Sequence, residues 1–240
     1  MKFIYIDVET TGLTCPESGL IQLAGAIEVD GEVVEEFNFR VRPFPSDVVS
    51  EEALAVNGVN REDLPGHDDP ERAFSQFLHL LGRHVNPFSR ADKFHLVAYN
   101  ADFDAEHLRA WFLKNGDRFF GSWFWHPPLD VMTMAAAALM HRRAELANFR
   151  LPTVARVLGF EVDESRTHDA LYDAMLTRKL FCLLRDHVVP PGPASVSAAQ
   201  GARAPDPASP LRGHGPGRAR PSAAGHLALW PGGRFPPKAS

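Results

Sequence analysis

The first ten residues constrain the fold most strongly, because an apolar run there ends in two acids. Residues 2–8 have the length and composition of a buried strand. Asp7 and Glu9 lie two residues apart, so a strand directs both side chains to the same face. Two carboxylates this close repel each other, and a divalent cation with oxygen ligands would relieve the repulsion. Solvated acids at a strand end are the common alternative, and the pair alone does not exclude it.

A polar turn follows these acids directly. Thr10, Thr11 and Gly12 precede Leu13, and a glycine in such a turn lets the backbone approach a ligand closely. The segment is suited to holding the end of a bound chain. By itself, an ordinary strand-to-loop turn is the simpler interpretation.

Short apolar runs and segments of helical periodicity alternate through the first 187 residues. Asp30-Gly31 is a hairpin signal, so the first three strands are predicted to be antiparallel neighbours. The predicted fold class is α/β, a mixed five-stranded sheet flanked by helices. The predicted strands span residues 2–8, 20–29, 32–41, 94–99 and 129–131, and the predicted helices span residues 70–85, 101–114, 130–143, 151–158 and 167–187.

Composition divides the chain after residue 189, where Pro, Gly, Ala and Ser begin to dominate. Such a segment buries too little apolar surface to offset its conformational entropy. We therefore predict a folded domain over residues 1–189 and a disordered basic tail over residues 190–240. The tail carries a net charge of +5, which leaves −10 on the domain. An acidic domain is poorly suited to broad capture of a phosphate backbone, so cations would have to mediate contact with nucleic acid.

Membrane and export signals are not evident in the sequence. No run of about eighteen apolar residues occurs, and Asp7 interrupts the first apolar run too early for a signal peptide. We expect a soluble, cytoplasmic protein with no membrane partner. Cys15 and Cys182 lack metal-type spacing, and we expect both to be reduced thiols.

A second acidic segment lies where the fourth predicted strand gives way to a helix. It runs Asn100-Ala101-Asp102-Phe103-Asp104. One of the two aspartates can cap the helix while the other faces the strand ends. Spacing alone does not choose between Asp102 and Asp104.

A third cluster lies at the start of the last predicted helix, where His168 precedes Asp173 by five residues. A histidine there can take a proton from water near neutral pH, although a solvated or capping histidine is the commoner case. Asp169 and Asp173 share one face of the helix.

Taken in order, the three clusters resemble the DEDDh branch of the DnaQ-like 3′-5′ exonucleases, in the RNase H-like superfamily. The resemblance covers nearly all of residues 3–185. Residues 7–12 are similar to the family motif D-x-E-T-T-G, residues 100–104 to N-x-x-F-D, and residues 168–173 to H-x-x-x-x-D. The second motif selects Asp104 rather than Asp102. Residues 56–59 resemble an H-G-I segment, with Asn57 in place of histidine.

The resemblance implies a metal-dependent enzyme that hydrolyses nucleotides from 3′ ends of nucleic acid, with DNA favoured and a proofreading or repair role as in epsilon-like members. It implies that Asp7, Glu9, Asp104 and Asp173 hold two Mg²⁺ or Mn²⁺ ions. His168 is implied as the general base.

The resemblance also implies which residues and partners meet the substrate. The substrate is a single-stranded or frayed 3′ end. A polymerase is the implied protein partner, and residues 226–230 of the tail weakly resemble a sliding-clamp-binding peptide, with His226 replacing the usual glutamine. The implied substrate contacts are Thr10, Thr11, Gly12, Leu13 and Asn100.

Two alternative functions stay open. The first is an RNA-trimming exoribonuclease, distinguished by its use of the 2′-hydroxyl. The second is a non-catalytic module that binds a polymerase or repair protein, although such a module needs neither the four acids nor the histidine. The aromatic residues between 111 and 125 are expected to close a core or contact a partner rather than stack on bases. Phe103 can either pack against the terminal bases or lie in the core at the junction of strand and helix, and the sequence leaves both open.

Overall fold

Five strands form one mixed sheet in the computed structural model, which describes residues 1–166 and 169–188. The strand order across the sheet is β3-β2-β1-β4-β5. Strand β1 pairs antiparallel with β2 and parallel with β4. The strands are β1 (Lys2–Thr10), β2 (Leu20–Val29), β3 (Glu32–Arg40), β4 (His95–Ala98) and β5 (Leu129–Asp130).

Helices cover both faces of this sheet, which confirms the predicted fold class. The α-helices are α1 (Glu51–Val56), α2 (Pro70–Gly82), α3 (Ala101–Lys114), α4 (Phe120–Trp123), α5 (Val131–Ala138), α6 (Leu151–Val157) and α7 (Ala170–Val188). Short 3-10 helices span Arg61–Gly66, Met140–Glu145 and Glu164–Arg166.

Local sequence signals explain several of these boundaries. Asp30 and Gly31 both have positive φ angles, 52° and 96°, as the tight hairpin between β2 and β3 requires. Asp69 caps α2 by accepting the backbone N–H groups of Glu71 and Arg72.

Alternate side chains of β1 pack into two separate hydrophobic cores. On one face Ile4, Ile6 and Val8 join the cluster that includes residues of α2 and α3. On the other face Phe3 and Tyr5 join the cluster that includes residues of α5, α6 and α7. The central strand is therefore held from both sides, and the acids near its end are attached to a rigid element.

The structure differs from the sequence prediction in its short elements. The helix predicted over residues 130–143 begins at Val131, because Asp130 ends β5 and its side chain accepts the N–H of Met132 as a cap. It stops at Ala138, and a 3-10 helix follows. Helices α1 and α4 were not predicted, since six and four residues are too few to show a helical period.

Three expectations concern other parts of the chain. Both cysteines are free thiols, as expected. Within residues 1–166 and 169–188, no helix has the length and apolar character needed to cross a membrane. The predicted disordered tail lies outside the described residues, so the boundary at residue 189 stays a prediction.

Candidate active site

Strand β1 presents Asp7 and Glu9 on one face, close to its C-terminal end. Pairing between β1 and β4 extends only from Phe3 to Tyr5 on β1, although β1 itself continues to Thr10. The last residues of β1 therefore border a gap at the end of the shorter strand. Side chains from the segment after β4 enter this gap.

Asp104 is the aspartate that enters it. Its Oδ1 accepts a hydrogen bond from the backbone N–H of Val8 at 3.1 Å, and the residue is 3% exposed. Asp102, also in the first turn of α3, is exposed. The structure thus brings Asp104, and not Asp102, to the two acids of β1.

Asp173 approaches the same acids from α7, on the opposite side of the sheet from α3. It is half-buried and contributes to the raised pKa values of Asp7 and Glu9. Asp169 has a different role, because its carboxylate accepts the N–H of Tyr172 and pairs with Arg166 at 3.1 Å. Asp169 is a cap of α7.

Burial and mutual repulsion shift the ionisation of these carboxyl groups. Burial, followed by the charges of Asp104, Glu9 and Asp173, raises the pKa of Asp7 well above its usual range. Burial and the charge of Asp173 raise the pKa of Glu9 to about 7. The pKa of Asp104 is also well above its usual range, chiefly because of burial, despite the opposing hydrogen bond from Val8. Ionising all of these groups together at neutral pH requires a compensating positive charge.

The chemistry of this donor set fits a hard divalent cation, because all of its ligand atoms are carboxylate oxygens. Within the described residues, however, no three His, Cys, Asp or Glu side chains stand in an arrangement that could already hold an ion. The carboxyl groups are near enough to perturb one another's ionisation, and closing them around an ion requires side-chain movement. His168, the remaining residue implied for catalysis, lies outside the described residues.

The turn after Glu9 is held by hydrogen bonds from its own threonines. The Thr10 hydroxyl donates to the carbonyl of Gly12 at 2.7 Å. The Thr11 hydroxyl donates to the carbonyl of Val48 at 2.6 Å and accepts the N–H of Gly19 at 2.7 Å. Both threonines are buried, so their side chains shape the turn. Leu13, by contrast, is 85% exposed.

A cleft of about 560 Å³ opens beside Glu9. The turn residues Gly12 and Leu13 line one part of it, and Asn57 and the half-buried Phe103 line another. Asn57 donates from Nδ2 to the carbonyl of Thr10 at 3.0 Å, which ties the end of α1 to the turn. Phe103 both packs against the core and lines the cleft. Asn57, to which the sequence assigned no role, is an addition to the candidate site.

Asn100 shapes the passage from β4 into α3. Its φ of 69° is in the left-handed region, and its backbone N–H donates to Oδ1 of Asp130 at 3.0 Å. Its side chain is exposed. The conformation of Asn100 directs the chain into the helix that carries Asp104.

Two other features of the surface are separate from the acids. A larger groove of about 960 Å³ reaches from Asn57 to Arg166 and includes none of the four carboxylates in its lining. Most of the aromatic stretch is buried, as expected for a core, while Phe119 and Trp125 are exposed. The buried members are Trp111, Phe112, Phe120, Trp123 and Phe124.

The amino-acid sequence of this chain is similar to those of known nucleases. The RNase T family, described as exonuclease, matches residues 4–181. Ribonuclease T of Shewanella frigidimarina is 30% identical over 192 residues, covering 75% of this chain and 80% of that protein. PolC-type DNA polymerase III of Thermotoga petrophila is 29% identical over 180 residues, covering 75% of this chain. The chain spans only 11% of that polymerase.

Among solved structures, the chain resembles a zinc-bound complex of Escherichia coli exonuclease I with single-stranded DNA. The TM-score is 0.61 at 19% identity, and the match covers 79% of this chain and 41% of the other. A likeness at this identity establishes the shared fold.

Proposed function

We infer the function of this chain from its acids and from its family. The chain belongs to the RNase T exonuclease family, whose match spans residues 4–181. The chain is a metal-dependent 3′-5′ exonuclease that removes nucleotides one at a time from nucleic-acid ends. The observation that carries this proposal is the meeting of Asp7, Glu9, Asp104 and Asp173, from three different elements, at the end of β1. A binding module without catalysis has no need for four mutually repelling acids.

Asp7, Glu9, Asp104 and Asp173 would hold two Mg²⁺ or Mn²⁺ ions. When bound, such ions activate water and stabilise the charge on the phosphate and on the leaving 3′-oxygen. The protein holds the carboxylates on rigid elements: Asp104 is hydrogen-bonded to β1, and Asp173 is fixed by α7. The identity of the ions as Mg²⁺ or Mn²⁺ rests on the all-oxygen donor set.

His168 is proposed as the general base. It takes the proton of the water that attacks the terminal phosphodiester. The bond from phosphorus to the 3′-oxygen then breaks, the leaving 3′-oxygen takes a proton from solvent, and the histidine returns its proton to solvent. Its place in the sequence, five residues before Asp173, supports this role.

The cleft beside Glu9 is proposed to receive the terminal nucleotide. Leu13 and Phe103 offer apolar surface to a base or sugar, and such contacts accept any sequence. The backbone of Gly12 and the side chain of Asn57 offer polar contacts in the same cleft. A cleft that receives the terminal nucleotide beside Glu9 favours a chain end over an internal position, which agrees with exonuclease rather than endonuclease action.

DNA is the proposed substrate, as a single-stranded or frayed 3′ end. The PolC-type relative supports a DNA role, and by the same reasoning a polymerase is the proposed partner. An exoribonuclease is the second candidate, because ribonuclease T matches over most of its own length. The cytoplasmic location expected from the sequence stays a prediction.

Digestion of matched 3′-labelled and 5′-labelled single-stranded DNA and RNA tests the proposal. With Mg²⁺ or Mn²⁺, we expect stepwise loss from the 3′ end, abolished by EDTA and by Asp7→Ala, and greatly slowed by His168→Ala. Faster digestion of RNA than of DNA would select the exoribonuclease. No hydrolysis of either substrate would reject the proposed activity of this chain.

A further inference from the structure

An ion pair with a buried carboxylate joins α7 to β2. Glu28 on β2 is 1% exposed, and Arg178 on α7 contacts its Oε2 through both Nε and Nη2 at 2.8 Å. The hydroxyl of Tyr5 donates to the same oxygen at 3.2 Å, and Nη1 of Arg185 lies 3.8 Å from Oε1. Burying the Glu28 carboxylate beside Arg178, whose side chain is 23% exposed, is costly, and apolar side chains of similar size often serve stability equally well. Stability alone therefore does not account for this pair.

The pair lies on the same face of the sheet as the acids of β1. Glu28 is directly opposite Phe3, and Glu9 lies six residues further along the same strand as Phe3. The ring of Phe181 on α7 packs 5.3 Å from the ring of Phe3, while Asp173 at the start of α7 lies near Glu9. Helix α7 thus runs antiparallel to β1, and its position along the strand decides whether Asp173 reaches the acids.

The remaining contacts between α7 and the sheet are mostly apolar. The ring of Phe181 packs 5.3 Å from the ring of Phe3 and 5.9 Å from the ring of Tyr5. Apolar burial by itself has no preferred direction. The ion pair adds directional hydrogen bonds at one position along the helix, because Nε and Nη2 of Arg178 both reach Oε2 of Glu28.

We propose that the Glu28–Arg178 pair sets the register of α7 on the sheet, and thereby brings Asp173 to Asp7 and Glu9. Glu28 and Arg178 are positioning residues, because they act on the site through the placement of a helix. This inference rests on the proposed function for the identity of the site as a divalent-metal site. It gives a role to a charged pair whose arginine lies five residues along α7 from Asp173.

Titration of the full chain with Mn²⁺, together with thermal unfolding, separates register from stability. In Glu28→Met/Arg178→Met an apolar pair replaces the ion pair, so we expect a Tm within about 5 °C of the wild type. We expect Mn²⁺ to bind about tenfold more weakly, because the loss of supporting residues around a metal site typically has effects of this size.

Arg178→Lys is the second variant, since it keeps the charge and removes the planar two-point contact. We expect it to remain folded and to bind Mn²⁺ several-fold more weakly. Arg142→Met is the matched control, because it removes an exposed arginine paired with Glu145 at 2.6 Å, away from α7. Its Mn²⁺ affinity should equal that of the wild type.

Wild-type Mn²⁺ affinity in the folded double variant would overturn the proposal. If the double variant does not fold, the Mn²⁺ affinity of Arg178→Lys is the deciding measurement. An affinity equal to that of the wild type in this variant would also overturn the proposal. A wild-type chain that binds Mn²⁺ but digests no oligonucleotide would reject the exonuclease and leave this test valid. An active wild type with unchanged affinity in the variants would reject the register role alone.

Discussion

At the residue scale, the acids of this site are distinguished by burial and hydrogen bonding rather than by spacing. Asp102 and Asp104 both lie in the first turn of α3, but only Asp104 is buried and bonded to β1. The motif resemblance selected Asp104, and the structure supplies the reason. A helix turns by about 100° per residue, so side chains two residues apart point to different faces of the helix.

Replacement of these two aspartates gives the first prediction. Asp104→Asn should lower kcat on the order of 100-fold, because it removes a carboxylate that would hold the ions that stabilise the charge of the transition state. Asp102→Asn should have little effect, since the side chain is exposed to solvent. The measurement is the initial rate of nucleotide release at saturating Mg²⁺. Equal losses in the two variants would contradict the assignment.

The raised pKa of Glu9 gives a second prediction, on stability in EDTA. Its folded-state pKa of about 7 exceeds the ordinary value of 4.5. A raised pKa means that the stabilising contribution is complete below about pH 4.5 and is lost as the pH rises through 7. The free energy of unfolding should therefore fall between pH 5 and pH 8 by more in the wild type than in Glu9→Gln. Chemical denaturation at several pH values measures this difference.

Addition of Mg²⁺ is the complementary arm of the same experiment. Bound cations favour the ionised carboxylates, so they should restore the stability lost above pH 7 in the wild type. In Glu9→Gln the restoration should be smaller. A wild type whose stability does not depend on Mg²⁺ at pH 8 would contradict a metal site at these acids.

At the element scale, the turn after β1 is fixed by contacts that are distant in sequence. Thr11 bonds to Val48 and Gly19, and Asn57 at the end of α1 bonds to Thr10. The motif predicted that the turn matters, but no local pattern reveals these partners. The same holds for α1, which is too short to show periodicity and yet forms one wall of the cleft.

Gly12 provides the third prediction, because its backbone passes close to Ser18. A Cβ on residue 12 would lie 2.6 Å from Oγ of Ser18 and 3.5 Å from its Cβ. Gly12→Ala should therefore raise KM for oligonucleotides several-fold, at an overpacking cost of about 1 kcal/mol or more. Adding Ser18→Ala should restore much of the loss, since only the ordinary 3.5 Å contact remains.

Gly121→Ala is the matched control for that substitution. A Cβ at residue 121 meets no atom within 4 Å, so KM should not change. Steady-state kinetics on one oligonucleotide compares all of the variants. A Gly12→Ala enzyme with wild-type KM would show that the turn does not shape the substrate cleft.

At the scale of the whole molecule, the sheet was predicted well and the site only in part. Strand residues 20–29 and helix residues 101–114 were predicted with the observed bounds, because clear turn signals flank them. The family motifs gave the four acids. The joint contribution of Asn57 and Phe103 to one cleft depends on tertiary packing, and His168 lies outside the described residues.

The division of the chain at residue 189 gives the fourth prediction. The family match ends at residue 181 and the described part of α7 ends at Val188, so the catalytic domain should not need residues 190–240. A chain of residues 1–189 should keep the Tm and the kcat/KM of the full chain on short oligonucleotides. A large loss of kcat/KM at unchanged Tm would instead show that the tail takes part in substrate binding.

We expect Asp7, Glu9, Asp104 and Asp173 to form one divalent-metal site at the end of β1. Calorimetric titration of Mn²⁺ into the full chain, beside Asp7→Asn and Asp173→Asn, measures this. We expect two ions per wild-type chain and a loss of affinity in both variants, although the two residues come from different elements. Saturable binding that neither substitution weakens, or no binding to the wild type, would show that these acids do not form a metal site.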